Sequence, residues 1–275
     1  MIKTIQKHAT ETAPALTTVQ GLVARFAPIS LAEMSHVALL KRADTKFVMS
    51  TQQLYQTLPE LTAHYRILDV DGVRLQHYQT LYYDTADFAL YRRHHSGGLN
   101  RYKVRYRQYI DSGLCFLEVK LKNNKRQTVK RRMPTPGIAT EFGTRTDDFL
   151  HHHVPFDPHA IEPKLWNRFR RMTLVSKHRV ERLTIDLELS FGCLDQRVTW
   201  PGVVVAEVKQ PKCSVKSDFV QMMRALGLRP RSFSKYCMGV SLLYDDQVPY
   251  NRFKPNQLLI QKLTMERKAY DERTH

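Results

Sequence analysis

Cysteine is scarce, with four in 275 residues. Cys115, Cys193, Cys213 and Cys237 are widely scattered, and no two stand at the paired spacing of a zinc site or redox motif. They read as reduced thiols of a cytoplasmic protein. Long apolar runs are lacking: no stretch approaches the roughly 18–20 residues a helix needs to cross a bilayer. The start, Met1-Ile2-Lys3-Thr4-Ile5, runs into Gln6, Lys7 and His8 without the apolar region of a secretory signal. No domain-sized repeat or low-complexity linker breaks the chain. Acid is also in short supply: 26 Asp and Glu stand against 43 Lys and Arg, a formal net charge of +17. An excess of that size points to a polyanionic partner, whether nucleic acid, an anionic membrane or a phosphate-rich small molecule. Net charge does not choose among them; position along the chain must.

Apolar residues Leu16, Val19, Leu22, Val23 and Phe26 fall at helical spacing. Pro28 interrupts, and Ser30-Leu31-Ala32-Glu33 is a capping box that opens a second helix over Leu31–Lys41. After Asp44 the period changes to two. Strands are expected at 45–50, 78–83, 100–109, 114–122, 127–133, 166–175, 180–189 and 202–209, with turns such as Asp111-Ser112-Gly113 between neighbours. Short connections imply antiparallel pairing. The proline-rich stretch 134–163 holds a short helix around Thr146–His152, and helical pattern returns at 215–227 and 233–245. The class is α+β. The chain divides into an N-terminal helical segment (1–38), a β-rich domain (39–247) and a basic C-terminal helix or tail (248–275), for which a membrane-surface contact stays open.

The strand Arg101-Tyr102-Lys103-Val104-Arg105-Tyr106-Arg107 puts four cations on one face and Tyr102, Val104 and Tyr106 on the other. A solvated outer face over an apolar core would read the same way. The pattern recurs: Glu118, Lys120 and Lys122 share a face, as do Thr128, Lys130 and Arg132, then Arg182, Thr184, Asp186 and Glu188, then Val205, Glu207 and Lys209. Helices need the apolar faces to pack on, and closure would remove strand edges. The expectation is therefore an eight-stranded antiparallel β-barrel, a tunnel with charge inside and helices packed outside. Cations so enclosed repel one another unless carboxylates or a bound anion intervene. Glu118, Asp186, Glu188 and Glu207 are the candidates to balance them. Arg126, Arg131, Arg168 and Arg170 have the opposite parity and read as outer-face charges.

These residues resemble the vacuolar transporter chaperone (VTC) domain of the CYTH, or triphosphate tunnel metalloenzyme, superfamily. The resemblance rests on Arg42-Ala43-Asp44-Thr45-Lys46-Phe47, Tyr82-Tyr83-Asp84-Thr85, Lys103-Val104-Arg105-Tyr106-Arg107, Phe116-Leu117-Glu118-Val119-Lys120 and Val129-Lys130-Arg131-Arg132. It continues through Phe169-Arg170-Arg171, Val180-Glu181-Arg182-Leu183-Thr184-Ile185-Asp186, Ala206-Glu207-Val208-Lys209 and Phe233-Ser234-Lys235-Tyr236. It implies a tunnel that binds triphosphate or polyphosphate with a divalent metal, and a transferase that moves the ATP γ-phosphoryl onto a polyphosphate chain. Carried over by position, Arg105, Arg107, Lys120, Arg171 and Lys235 are the catalytic candidates. Lys46, Arg92 (or Arg93), Lys103, Lys130, Lys209 and Ser234 are the phosphate-binding ones. Glu207 is the metal ligand, for Mn²⁺ or Mg²⁺.

Phe169 stands where the polymerase has a tyrosine, and Lys122 where it has a histidine. Asp44-Thr45-Lys46 replaces the Glu-x-Glu-x-Lys opening of the hydrolytic members, which favours the VTC branch. From the residues alone Glu207 could equally pair with Lys209, and Ser234 could simply cap a helix. His151-His152-His153 reads as a surface loop. ATP and inorganic polyphosphate are the expected partners. Nucleic acid is disfavoured, because aromatic and basic side chains alternate across opposite faces instead of sharing a stacking platform. A peripheral contact with a membrane protein stays open. A metal-dependent triphosphatase and a non-catalytic polyphosphate-binding module are the rival functions.

Overall fold

The computed structural model describes residues 19–35, 43–125, 127–193 and 196–274. In chain order the elements are α1 (Val19–Ala24), β1 (Pro28–Ile29), α2 (Leu31–Ser35), β2 (Ala43–Ser50), α3 (Thr51–His64), β3 (Tyr65–Leu68), β4 (Gln76–Thr85) and α4 (Ala89–His95). There follow β5 (Arg101–Tyr109), β6 (Cys115–Lys122), β7 (Thr128–Thr135), α5 (Thr144–His151), β8 (Ile161–Ser176), β9 (Arg182–Cys193), β10 (Gln196–Thr199) and β11 (Val203–Gln210). Three helices close the chain: α6 (Asp218–Ala225), α7 (Lys235–Leu243) and α8 (Lys254–Thr274). The expected eight strands all form. The extension of α2 beyond residue 35, Arg126 and the first 18 residues lie outside the described residues.

Two helices were not legible in the pattern. Ser50 accepts from Gln53 N (3.1 Å) while Gln53 Oε1 accepts from Ser50 N (2.9 Å), a capping box that starts α3. Leu54, Leu58 and Leu61 then bury one stripe. Pro59 inside that helix disguised the period. The α4 helix is capped from a distance: buried Asp84 accepts from Leu90 N and Tyr91 N, both at 2.8 Å. The capping box read at Ser30 and Glu33 is present, with Ser30 N donating to Glu33 (2.8 Å) and Glu33 N to Ser30 Oγ (3.2 Å).

The long strands form one sheet in the order β2-β11-β9-β8-β4-β5-β6-β7, every neighbouring pair antiparallel. The expected closure into a barrel does not occur. Strands β2 and β7 end the path, and among the described residues no ladder joins them. The sequence of β7 gives the physical reason. It exposes Lys130, Arg131 and Arg132 and carries Pro134, and charge and proline are what keep a sheet edge from pairing.

The open sheet is nevertheless curled around one helix. Lys103 of β5 donates to Ser234 at the N-cap of α7 (2.7 Å), and Lys235 in the first turn of α7 pairs with Asp186 of β9. Burial follows the pleat. Outward residues Phe47, Met49, Leu183, Ile185, Val204, Ala206 and Val208 form one core with α1, α3 and α6. Outward Leu81, Tyr83, Val104, Tyr106, Leu117 and Val119 form a second with Leu150 of α5. Residues facing the other way, Val48, Val203 and Val205 with Leu165, and Leu189 and Phe191 beyond the irregularity in the β8–β9 ladder, pack on Tyr236, Met238 and Val240 of α7. Gly239 allows that approach. A Cβ there would stand 2.6 Å from both Leu165 Cδ2 and Phe191 Cδ1. The concave face therefore has an apolar end filled by α7 and a charged end beside the N-terminus of that helix.

Candidate active site: a cation-lined basin

Three carboxylates at the charged end each serve more than one cation. Arg105 Nε and Nη2 reach Glu118 Oε2 at 2.7 and 2.6 Å, and Arg107 Nη1 lies 4.0 Å from the same oxygen. Arg171 grips Asp186 with two parallel bonds, Nε to Oδ1 at 2.5 Å and Nη2 to Oδ2 at 2.8 Å, and Lys235 adds a third. Glu207 is bracketed, with Lys46 Nζ 2.9 Å from Oε1 and Lys209 Nζ 2.9 Å from Oε2. Burial raises all three carboxyls. The cations outweigh it, holding Glu118 and Asp186 at about 2 and Glu207 well below the usual carboxylate range. Lys209, which also donates to Thr184 Oγ1 (2.8 Å), is pushed down to about 8, chiefly by burial.

Register brings the lysines together. Lys103, Lys120 and Lys130 occupy directly paired positions on β5, β6 and β7. Among the described residues no carboxylate forms an ion pair with Lys120. Burial, then Lys103, Lys130 and Arg105, push its ammonium down to about 6, with Glu207 across the basin opposing them. Tyr82 reports the same field. Its hydroxyl accepts from Arg105 Nη1 (3.1 Å), and although burial raises its pKa, Arg105, Arg107, Lys103 and Lys235 pull it below 10. The potential here is strongly positive, as a polyanion site requires.

An aromatic floor orients the guanidinium groups. Tyr78 and Phe169 stack at 5.0 Å, and the Arg171 guanidinium lies 5.1 Å from each ring centroid. Lys235 Nζ is 4.3 Å from the Phe169 ring. One row of the sheet is polar yet unsatisfied. Arg107, Thr80 and Asn167 are directly paired across β5, β4 and β8, and Arg107 Nε, Thr80 Oγ1 and Asn167 Oδ1 are buried without hydrogen-bond partners. Buried polar atoms of this kind normally find a partner, protein or not. Nothing in their spacing marked Thr80 or Asn167 in the sequence, and Tyr82 stood out only as the first residue of the motif Tyr82-Tyr83-Asp84-Thr85, with no role assigned to it.

Of the sequence candidates, Lys46, Lys103, Arg105, Arg107, Lys120, Lys130, Arg171, Lys209, Ser234, Lys235 and Glu207 all line this basin. Arg92 does not. Its guanidinium donates to the Asp87 and Gln247 carbonyls, both at 2.7 Å, and Arg93 donates to Leu99 O (2.8 Å). Glu188 also falls elsewhere. A register shift between Arg168 and Arg170 and a left-handed backbone at Glu188 (φ 53°) turn it outward, where it pairs with Arg170 at 3.0 Å. Ser234 is a helix cap, its Oγ accepting from Cys237 N (3.2 Å), and the same oxygen accepts from Lys103.

A model of the VTC domain matches residues 41–244. The chain belongs to the VTC-domain family. No curated protein matches the sequence. Solved structures resemble this VTC-domain chain in fold at low identity. A Hippeastrum protein with a dominant triphosphatase activity is 14% identical over 72% of this chain and 96% of its own, with a TM-score of 0.46. A Vibrio parahaemolyticus protein named as a candidate adenylate cyclase is 11% identical over 73% of this chain and 99% of its own, with a TM-score of 0.42. A conserved Pyrococcus furiosus protein is 12% identical over 70% and 98%, with a TM-score of 0.38.

Two further features concern ligands and membranes. Within the VTC-domain fold, no helix among the described residues is long and apolar enough to cross a membrane. A group able to hold a metal ion, Asp147, His151 and His159, lies on the outer side of the sheet, away from the basin. His151 is the last residue of α5, whereas His152 and His153 lie in the turn that follows it.

Proposed function

We propose that the basin binds the phosphate chain of a triphosphate or polyphosphate and that the protein cleaves its terminal phosphoanhydride by hydrolysis, with a divalent metal. The observation that carries this reading is the row of convergent cations with unmet bonding capacity: Lys120 without a carboxylate, and Arg107 Nε buried without a partner. Arg105 is fixed by Glu118 through Nε and Nη2 and by Tyr82 through Nη1, and Arg171 by Asp186 through Nε and Nη2. They suit phosphate oxygens, which guanidinium groups bind in forked pairs. Lys103, Lys130, Lys46 and Lys209 supply point charges, and Ser234 with the first amides of α7 supplies a helix N-terminus. Phosphoryl transfer asks chiefly for such positioning and charge neutralisation.

Glu207 fits a metal that arrives with its phosphate. Both its oxygens are held by lysines, so Glu207 would hold an ion with at least one of those ammonium groups turned away. Bound Mn²⁺ or Mg²⁺ would neutralise charge on the phosphate oxygens. Lys46 and Lys209 position the Glu207 carboxylate.

We take water as the acceptor because α7, packed against Leu165 and Phe191, fills the apolar end of the concave face, where a lengthening product would otherwise run. Polyphosphate synthesis from ATP is the second reading, supported by the family and by Asp44-Thr45-Lys46. Incubation with Mn²⁺ or Mg²⁺ and either ATP or inorganic triphosphate distinguishes them. Free phosphate without chain product is expected. Long-chain polyphosphate from ATP would establish the second reading, and tight polyphosphate binding without turnover would reduce the protein to a binding module.

A further inference from the structure

The connection between β7 and β8 lies outside the basin, yet it gathers metal-ligating side chains. Asp147 and His151 are four residues apart on α5 and so project from one face. Asp157 caps the short 3-10 helix Pro158–Ala160 by accepting from His159 N (2.9 Å), and buried Pro158 anchors that turn. The turn carries the His159 ring back over α5. His151 Nε2 lies 3.4 Å from Asp147 Oδ2, and His159 Nε2 lies 3.5 Å from Asp147 Oδ1. All three ligand atoms fall within 4.8 Å of one another. Two ligands about 2.1 Å from a tetrahedral ion sit ~3.4 Å apart, so both Asp–His separations suit a shared ion.

Two further observations bear on the site. Asp147 Oδ1 is buried and accepts no hydrogen bond. Leu150, on the same helix, is fully buried against the outer face of β4–β6 and fixes the backbone that carries Asp147 and His151. The imidazoles themselves are 52% and 68% exposed, which leaves them room to turn onto an ion. The adjacent histidines are occupied otherwise: His152 Nδ1 lies 2.6 Å from Asp148 O, and the His153 ring packs on Phe149.

We infer that Asp147, His151 and His159 form a three-ligand site for a divalent transition ion of the zinc type, outside the basin, with a fourth position for water. Two imidazoles and one carboxylate select borderline first-row ions over Mg²⁺ or Ca²⁺, which take oxygen ligands. The ion clips α5 to the turn that leads into β8 and so holds the outer wall of the sheet.

Titration of tag-free, metal-stripped protein with Co²⁺ tests this. One ion per chain is expected, with visible absorption that one equivalent of Zn²⁺ displaces. At least a tenfold loss of affinity is expected in His159→Ala and in Asp147→Asn, and none in His153→Ala. Phosphate release by His159→Ala should stay at the wild-type rate, which separates this site from the basin. Absence of the cobalt spectrum would leave these residues an ion pair only and overturn the inference, as would a spectrum that survives both substitutions.

Discussion

Lys103 on β5 and Ser234 at the start of α7 are joined by a 2.7 Å hydrogen bond, 131 residues apart in sequence. Ser234 also caps α7, so the bond links the position of a helix to a cation of the basin. Beside it, Lys235 reaches back to Asp186 on β9. The helix thereby spans the two halves of a sheet whose end strands, among the described residues, share no ladder.

Gly239 is what lets α7 sit there. Gly239→Ala would place a methyl group 2.6 Å from Leu165 and Phe191, and overpacking of this kind costs about 1–3 kcal/mol. A lowered melting temperature is expected, together with weaker triphosphate binding as Ser234 and Lys235 shift. Unchanged values of both would mean that α7 does not organise the basin.

Asp186 is held by two cations, Arg171 and Lys235. Asp186→Asn leaves Arg171 and Lys235 without their counter-charge, and breaking a buried pair this way costs about 3–5 kcal/mol. Because the native carboxyl titrates near 2 against an ordinary 3.8, its contribution is present above about pH 4 and is lost as pH falls towards 2. Denaturation followed against pH should show the wild type losing its advantage over the variant in that window.

Lys120 works in the opposite sense. Its pKa falls from 10.5 to about 6, so between those values the unfolded chain binds more protons and stability rises with pH. Lys120→Met should therefore raise the melting temperature of ligand-free protein at pH 7 and do little at pH 10.5. It should also weaken triphosphate binding by ~10-fold, about the worth of one charge-assisted bond. Calorimetry in buffers of different ionisation enthalpy should detect proton uptake on binding at pH 7 in the wild type and less in the variant.

For Glu207, Glu207→Gln is expected to abolish metal-dependent turnover while polyphosphate affinity stays equal or rises, since Lys46 and Lys209 lose their internal partner. Turnover that persists at the wild-type rate would place the metal elsewhere.

Much of this was legible in the chain itself. Alternation in Arg101–Arg107 and its echoes in β6, β7, β9 and β11 determined the strands and which side chains share a face, because a pleated strand has a period of two, and short connections pointed to antiparallel pairing. Resemblance motifs then picked out most of the basin. Arg92 was misplaced because a helix, α4, carries it to backbone carbonyls that no local pattern reveals. Glu188 was misplaced because one bulge reverses parity for every residue beyond it. The pairing of Asp147 with His159 depends on a turn between them.

What only the tertiary structure decided is how the sheet ends and what fills it. Alternation is the same for a closed barrel and an open curled sheet; the difference lies in whether β7 finds β2, and exposed charge and Pro134 at that edge oppose it. Likewise α7 reads in sequence as one more apolar helix. Its place on the concave side follows from a glycine small enough to meet Leu165 and Phe191, and from two charged contacts to distant strands. Local sequence sets the faces of the elements, whereas long-range packing sets which faces meet.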